Sequence, residues 1–579
     1  MMRLLCKTTP GLCLAVALLV VVHAWAGTPA TEKSDPLLAT MQQELQRAQA
    51  SLSKLDPAPY FLSYSVYDQN VSVAVGTQGS LINFTTVHRR LADVTMRVGS
   101  AALDNTHEEN RVSAISSGAL PLEDDRDAIA HELWRLTYEE YRKASKAFLN
   151  VKTGKQVHAQ EEDTSPDFSQ ETPQSHSDYQ DIAPAPDRRD LEKMARQYSA
   201  YFRKYPYIYS SSVVIQAQQG RLRFASTEGL QVVAPGAIVR VAIQAETLAS
   251  DGMELVRVET FQAESMNHLP PESEIAARVE KMASDLKALR DAPVAEPFDG
   301  PALLSGRAAA VFFHEVLGHR LEGHRQRGER EGQTFTKKVN QPVLPEFLSV
   351  TDDPTQRSLN GLDLGGWYEY DDEGMPATRV EVIKDGILKN FLMSRLPIKN
   401  FGNSNGHGRA QPGLMPTGRQ GNLIVSSSRT VKDSELRQKL IDEIKKQGKP
   451  YGLYFEDIQG GFTLTQRALP QAFQVLPVMV WRVYADGRPN ELVRGVDIVG
   501  TPLAALTRIL ITGDKTDVFN GMCGAESGQV PVAAAAPAML FSEIEVQKRA
   551  HQLNRPPVLP SPAETGETPE KDKDRGQQP

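Results

Sequence analysis

The sequence predicts an α+β fold in two parts. Three observations predict it. Apolar residues alternate with polar ones over 60–98 and 211–261, while amphipathic helical stretches flank both runs. Beyond residue 320 the chain is mostly strand and turn, interrupted by one helix. A mature length of about 550 residues is more than one core usually serves. The expected division is an N-terminal α+β domain over 27–298 and a mostly antiparallel β domain over 299–550, with a metal-binding helix at the junction.

The first 26 residues read as a secretory signal. Arg3 and Lys7 form a positive start, Leu12 to Val22 is a short apolar run, and Ala24-Trp25-Ala26 fits the small-x-small cleavage rule. The expected location is therefore the periplasm or the exterior of a bacterial cell. Leu37 to Leu55 follows as an amphipathic helix, and Tyr60 to Val98 as several antiparallel strands. Asp124 to Phe148 is a long helix with Ile129, Leu133 and Leu136 on one stripe. Its His131-Glu132 pair has no second His four or five residues on, so it is no metal motif.

About 157–189 the composition turns to Gln, Glu, Asp, Ser and Pro, which reads as a mobile loop or an inserted arm. Leu191 to Tyr205 reads as a helix, and Glu272 to Arg290 as another, with Ile275, Val279, Met282, Leu286 and Leu289 on one side. Asp299 to Pro301 reads as the domain boundary, and Ser305 as an N-cap. Hairpins are expected over Asp385-Gly386 and Asp486-Gly487, and a helix over Lys432 to Gln447. The tail, 551–579, has no periodicity and is expected to be disordered.

The chemistry-bearing stretch is His314-Glu315-Val316-Leu317-Gly318-His319, which follows the apolar run Ala308 to Phe313. Zinc takes neutral imidazole nitrogens, and a hydrolytic site keeps one position open for water. A neighbouring carboxylate, here Glu315, takes that water's proton and passes it to a leaving amine. The two His are five residues apart rather than four, which swings the second ring about 140° round an ideal helix. His319 reaches the same metal only if the helix ends or bulges before it, and Gly318 permits that. The spacing also allows a plainer reading, a buried His bonded to a carbonyl with Glu315 facing solvent. Glu322 and His324 are candidates for orienting a ligand ring.

The chain has three cysteines, and Cys6 and Cys13 fall in the signal. The mature protein would carry Cys523 alone in an oxidising compartment, between glycines in Asn520-Gly521-Met522-Cys523-Gly524. A tight loop presenting the sulfur is one reading, with Cys523 as a thiolate third ligand beside two His. A small apolar plug is the other. Removing Arg3 and Lys7 with the signal takes the net charge from −8 to −10, which argues against nucleic acid and anionic membrane as partners. After signal cleavage no stable membrane insertion is expected.

Five motifs in order carry a family resemblance: H-E-V-L-G-H-R-L-E-G at 314–323, D-D-E-G at 371–374, D-G-I-L-K at 385–389, N-S-N-G-H-G-R at 403–409, and M-C-G-x-x-S-G-Q-V-P-V at 522–532. The chain resembles the TldD/PmbA (TldE) family, on the TldD side, which carries the metal motif and the late cysteine. The resemblance implies a zinc metallopeptidase, with one zinc per chain on His314, His319 and Cys523 and with Glu315 as general base. It also implies flexible or unfolded peptide substrates, and a dimer of like chains or one with a TldE-like subunit. Two other functions suit the same residues: a non-catalytic zinc-bearing subunit that captures peptides, and a metal-dependent amidase acting on a cell-wall peptide.

Overall fold

A computed structural model of the chain describes residues 35–107, 115–154, 163–180, 182, 184–327, 331–468 and 472–549. The signal segment 1–26, the tail 551–579 and part of the polar stretch, with His158, lie outside the described residues.

The alternation over 60–98 resolves into two long strands, Pro59–Thr77 and Ser80–Ser100, joined by Gln78 and Gly79, both at positive φ. That two-residue turn matches the twist of the strands it joins. The strands belong to an eight-stranded sheet whose centre also holds Ser210–Ser226 and Gln231–Leu248. Period-2 alternation gives this sheet two buried faces. Leu62, Tyr64 and Val66 pack with helices Pro36–Leu52 and Arg126–Gly154, and Val213, Ile215, Val241 and Ile243 with helices Arg188–Ala200 and Glu272–Asp291. Phe224 and Val232 alternate with those residues and meet Met375 from the C-terminal half.

The polar stretch is an arm, not a mobile loop, where it is described. Phe168 is buried, 4.7 Å from the Phe61 ring, with the guanidiniums of Arg97 and Arg395 each 3.9 Å from its centroid. Ser169 donates its N–H to the Arg395 carbonyl, Lys399 donates to Asp163, and Ser175–Ser177 pairs with Gln231–Leu248. Composition left both readings open because one aromatic anchor and polar ties to distant segments, among them the Asp167–Arg327 ion pair, hold the arm. Neither leaves a hydrophobic pattern.

The second sheet has eleven strands. Residues 299–301, read as a boundary, lie inside its strand Phe298–Leu304. Five strands pair in a ring: 298–304, 452–463, 473–483, 496–500 and 528–548. The ring closes through these pairings, but 452–463 meets 298–304 only at 453–455, so the rest of that strand's outer edge stays unpaired by the ring. The Asp385-Gly386 hairpin forms as expected, with positive φ at both residues. No described helix is long and apolar enough to cross a membrane.

Candidate metal centre

The helix that carries the first two site residues is Gly306–Val316. Ser305 starts it, its Oγ accepting from the Ala308 N–H (3.1 Å) and donating to the Glu456 carbonyl (2.8 Å). All of its residues except Arg307 are buried, as an apolar helix with no polar stripe requires. It packs against strands Gly452–Thr463, Ile509–Ala525 and Gly528–Lys548.

The helix ends at Val316, and Gly318–Leu321 continues as a tighter 3-10 turn. That change of winding returns His319 to the His314 side, with the ring centroids 5.1 Å apart. Gly318 is required for space rather than for a left-handed backbone. A Cβ there would lie 1.9 Å from Oε1 of Gln420, whose Nε2 is 3.4 Å from the His314 carbonyl.

Cys523 sits in the strand Ile509–Ala525, opposite Val530, and not in a loop. Flanking glycines suggested a turn, but thirteen cross-strand partners with 528–548 override that local preference. The sulfur is 3.4 Å from His319 Nε2. One ligand atom each from His314, His319 and Cys523 lies within 4.8 Å of the others, and all three residues are buried.

The donor chemistry fits a soft divalent cation. Burial disfavours the Cys523 thiolate, but the two imidazoles outweigh it and hold the thiol well below its ordinary range. His319 Nδ1 is bonded to Glu322 Oε1 (3.1 Å), so Nε2 is the nitrogen that faces the sulfur. His314 Nδ1 is buried with no hydrogen-bond partner among the described residues. Thiolate with two imidazoles is a zinc-type set with room for a fourth ligand.

Desolvation opposes ionisation of Glu322, yet His319, Arg325 and Arg419 hold its carboxyl down at about 2. His324 pairs with Glu526, and Arg325 Nη2 donates to the same carboxylate (2.9 Å).

These residues open on a cavity of about 690 Å³, lined by His314, Glu315, His319 and Cys523. One wall is Gln459 to Thr463 and the other Met522 to Glu526. Glu315 is 8% exposed, and a Cβ on Gly461 would sit 3.0 Å from its Cγ, so the glycine keeps the wall clear of the carboxylate. The structure thus brings together all four site residues expected from sequence. The polar run near 405–422 supports the site from behind: Arg409 donates to the Gln420 carbonyl (2.7 Å), and buried His407 faces Asp352 at 3.3 Å. Sequence reading missed Arg325, Arg419, Gln420, Gly461 and Glu526. A shared polar, glycine-rich context was their only signal.

The two His, the Cys and the adjacent Glu, set in the β-rich C-terminal half, form a candidate metal centre with a carboxylate beside it. Residues 299–548 match the family described as the PmbA/TldA metallopeptidase C-terminal domain. A metalloprotease of Archaeoglobus fulgidus is 28% identical over 239 residues, 41% of this chain and 51% of that one. A zinc metalloprotease TldD homolog of Saccharolobus solfataricus is 25% identical over 368 residues, 62% of this chain and 75% of that one. The chain spans about half the length of most of the curated relatives it matches. TldE from Thermococcus kodakarensis shares the fold, with TM-score 0.57 and 12% identity over 88% of this chain and 100% of that one. A putative modulator of a DNA gyrase from Thermotoga maritima does so too, with TM-score 0.56 and 15% identity over 87% of this chain and 99% of that one.

Proposed function

We propose that the protein is a zinc-dependent peptidase of the cell envelope that hydrolyses flexible or unfolded peptides. The observation that carries this is the convergence of Cys523 on His319, 204 residues away, in a cavity that Glu315 also lines. His314, His319 and Cys523 would hold one zinc. When bound, zinc supplies Lewis acidity that polarises a carbonyl and brings a water's pKa towards neutrality. Glu315 accepts the proton of the attacking water and delivers it to the leaving amine.

The cavity walls support an extended substrate. Strand Gly452–Thr463 pairs along its length with Phe473–Val483, but its other edge meets Phe298–Leu304 only at 453–455. Strand Ile509–Ala525 pairs with 528–548 and bridges Thr430 at Thr512, leaving the outer edge of 516–525 without a strand partner among the described residues. Two strand edges therefore border the cavity, and a peptide backbone adds to such an edge without needing a particular sequence. Export rests on the segment ending at Ala24-Trp25-Ala26. The likeness to a TldE structure supports an unlike-chain dimer as one assembly, beside a dimer of like chains.

The test is metal content of the purified protein by elemental analysis, wild type beside Cys523→Ser, with turnover of an unstructured peptide. About one zinc per chain, falling sharply in Cys523→Ser, is expected. Glu315→Gln should keep the zinc and lose roughly 10²-fold or more in turnover. Zinc without turnover would leave a peptide-capturing subunit. Folded wild type without zinc would overturn the reading.

A further inference from the structure

Two arginines join the helix-borne and strand-borne halves of the metal centre. Arg419 is fully buried. Its Nη2 donates to the Cys523 carbonyl (2.8 Å), and its Nη1 to Ser527 Oγ (2.8 Å) and the Gly528 carbonyl (3.1 Å). Its Nε lies 3.5 Å from Glu322 Oε1, the oxygen that His319 Nδ1 faces. Arg325 repeats the arrangement from the other side: Nε donates to Glu322 Oε2 (2.7 Å) and Nη2 to Glu526 Oε2 (2.9 Å). Glu526, Ser527 and Gly528 lie at the hairpin turn beyond Cys523. Each guanidinium thus engages Glu322 and the cysteine hairpin at once.

A guanidinium does this because its N–H groups are fixed in one plane. A lysine ammonium on a flexible stem cannot hold two partners in a set register. The hairpin has need of such a hold. Gly521 and Gly524 flank the Met522-Cys523 pair, and glycine within a strand weakens its own pairing.

We propose that Arg419, seconded by Arg325, is a positioning residue that sets Cys523 against His319 before any metal arrives, so that the centre is preorganised rather than assembled by the ion. This rests on the zinc reading given above.

Cobalt(II) is the probe, because a thiolate ligand adds a charge-transfer absorption to its visible d–d bands. Full-length wild type, Arg419→Lys, Arg419→Gln and Glu526→Gln are titrated with Co²⁺, with far-UV circular dichroism as the check on folding. Arg419→Lys is expected to weaken Co²⁺ binding about 10- to 100-fold, the usual effect of losing a group that orients ligands. Its charge-transfer band at saturation should be weaker than wild type. Glu526 is 37% exposed at the turn, so Glu526→Gln tests the second arm even if the Arg419 variants fail to fold. A smaller loss in the same direction is expected there. Folded Arg419 variants with wild-type affinity and a full band would overturn the clamp alone. So would wild-type behaviour of Glu526→Gln if the Arg419 variants do not fold. Wild type that binds no Co²⁺ would overturn both the clamp and the zinc reading.

Discussion

The metal centre and the Asp371-Asp372-Glu373 run are two clusters of ionisable side chains in the same half of the molecule, and either would pass for a metal site in the sequence. They differ in what is left unsatisfied. Asp371 accepts from the N–H groups of Glu373 (2.9 Å), Met375 (2.9 Å) and Gly408 (2.8 Å). Asp372 accepts from Ala410 N–H (2.9 Å) and Tyr67 OH (3.3 Å), and Glu373 from Arg395 N–H (2.7 Å). At the metal centre a thiolate faces two imidazoles, and His314 Nδ1 has no hydrogen-bond partner among the described residues. A carboxylate saturated by backbone donors is a staple between segments. A donor set with capacity to spare can take a ligand.

The largest difference should appear on deleting one member of each cluster. His314→Ala is expected to abolish metal binding and reduce turnover to background. In metal-free protein it should cost about 1–2 kcal/mol of stability, since the ring's Nδ1 has no hydrogen-bond partner among the described residues and Cys523 keeps His319 as its second imidazole. Asp371→Asn should do the reverse, losing roughly 2–4 kcal/mol by orphaning buried N–H donors while folded molecules keep their metal. Urea unfolding of the metal-free proteins and elemental analysis measure both. If metal-free His314→Ala proves the less stable of the two, the contrast fails.

A smaller effect sharpens the geometry of the metal side. Gly318→Ala should cost about 1–3 kcal/mol and weaken metal binding, because Gln420 must move from its place against the turn. Adding Gln420→Ala should restore part of the binding. No recovery would mean that Gly318 acts through its backbone instead.

The most gradual effect is the pH dependence of the carboxylate side. Desolvation pushes the Glu373 carboxyl up to about 7, against the lowering by Arg395. A carboxyl raised above its ordinary 4.5 binds its proton more tightly when folded. Its stabilisation is therefore complete below about pH 4.5 and is lost as pH rises through about 7, with a slope of at most about 1.4 kcal/mol per pH unit. Urea midpoints of metal-free protein should fall over that range, and more steeply in wild type than in Glu373→Gln. Parallel profiles would show that Glu373 keeps its charge on folding.

Much of the fold was legible in the sequence because it follows from local preferences. The Glu272–Asp291 helix shows in the spacing of Ile275, Val279, Met282, Leu286 and Leu289, and the 380–388 hairpin in Asp385-Gly386. Composition left 163–180 open between a loop and an arm, since Phe168 is its one fully buried large apolar residue and its other ties, such as the Asp167–Arg327 ion pair, reach distant residues. Cys523 was found as a residue and misplaced as an element. Its glycine neighbours signal a turn, whereas its strand is fixed by pairing with residues 528–548.

By itself the sequence determined the donor set: His314 and His319 with Glu315 between them, a late cysteine, and a glycine where the helix had to stop. Those choices are made by residue type and by spacing within a turn or two of chain. The tertiary structure alone decided that Cys523 stands 3.4 Å from His319, that Gln420 fills the space a Cβ on Gly318 would need, and that Arg325 and Arg419 tie the two halves through Glu322. The reason is range. Dihedral preference and periodicity act over a few residues, whereas segments 204 residues apart meet only where sheet pairing and a buried helix bring them together.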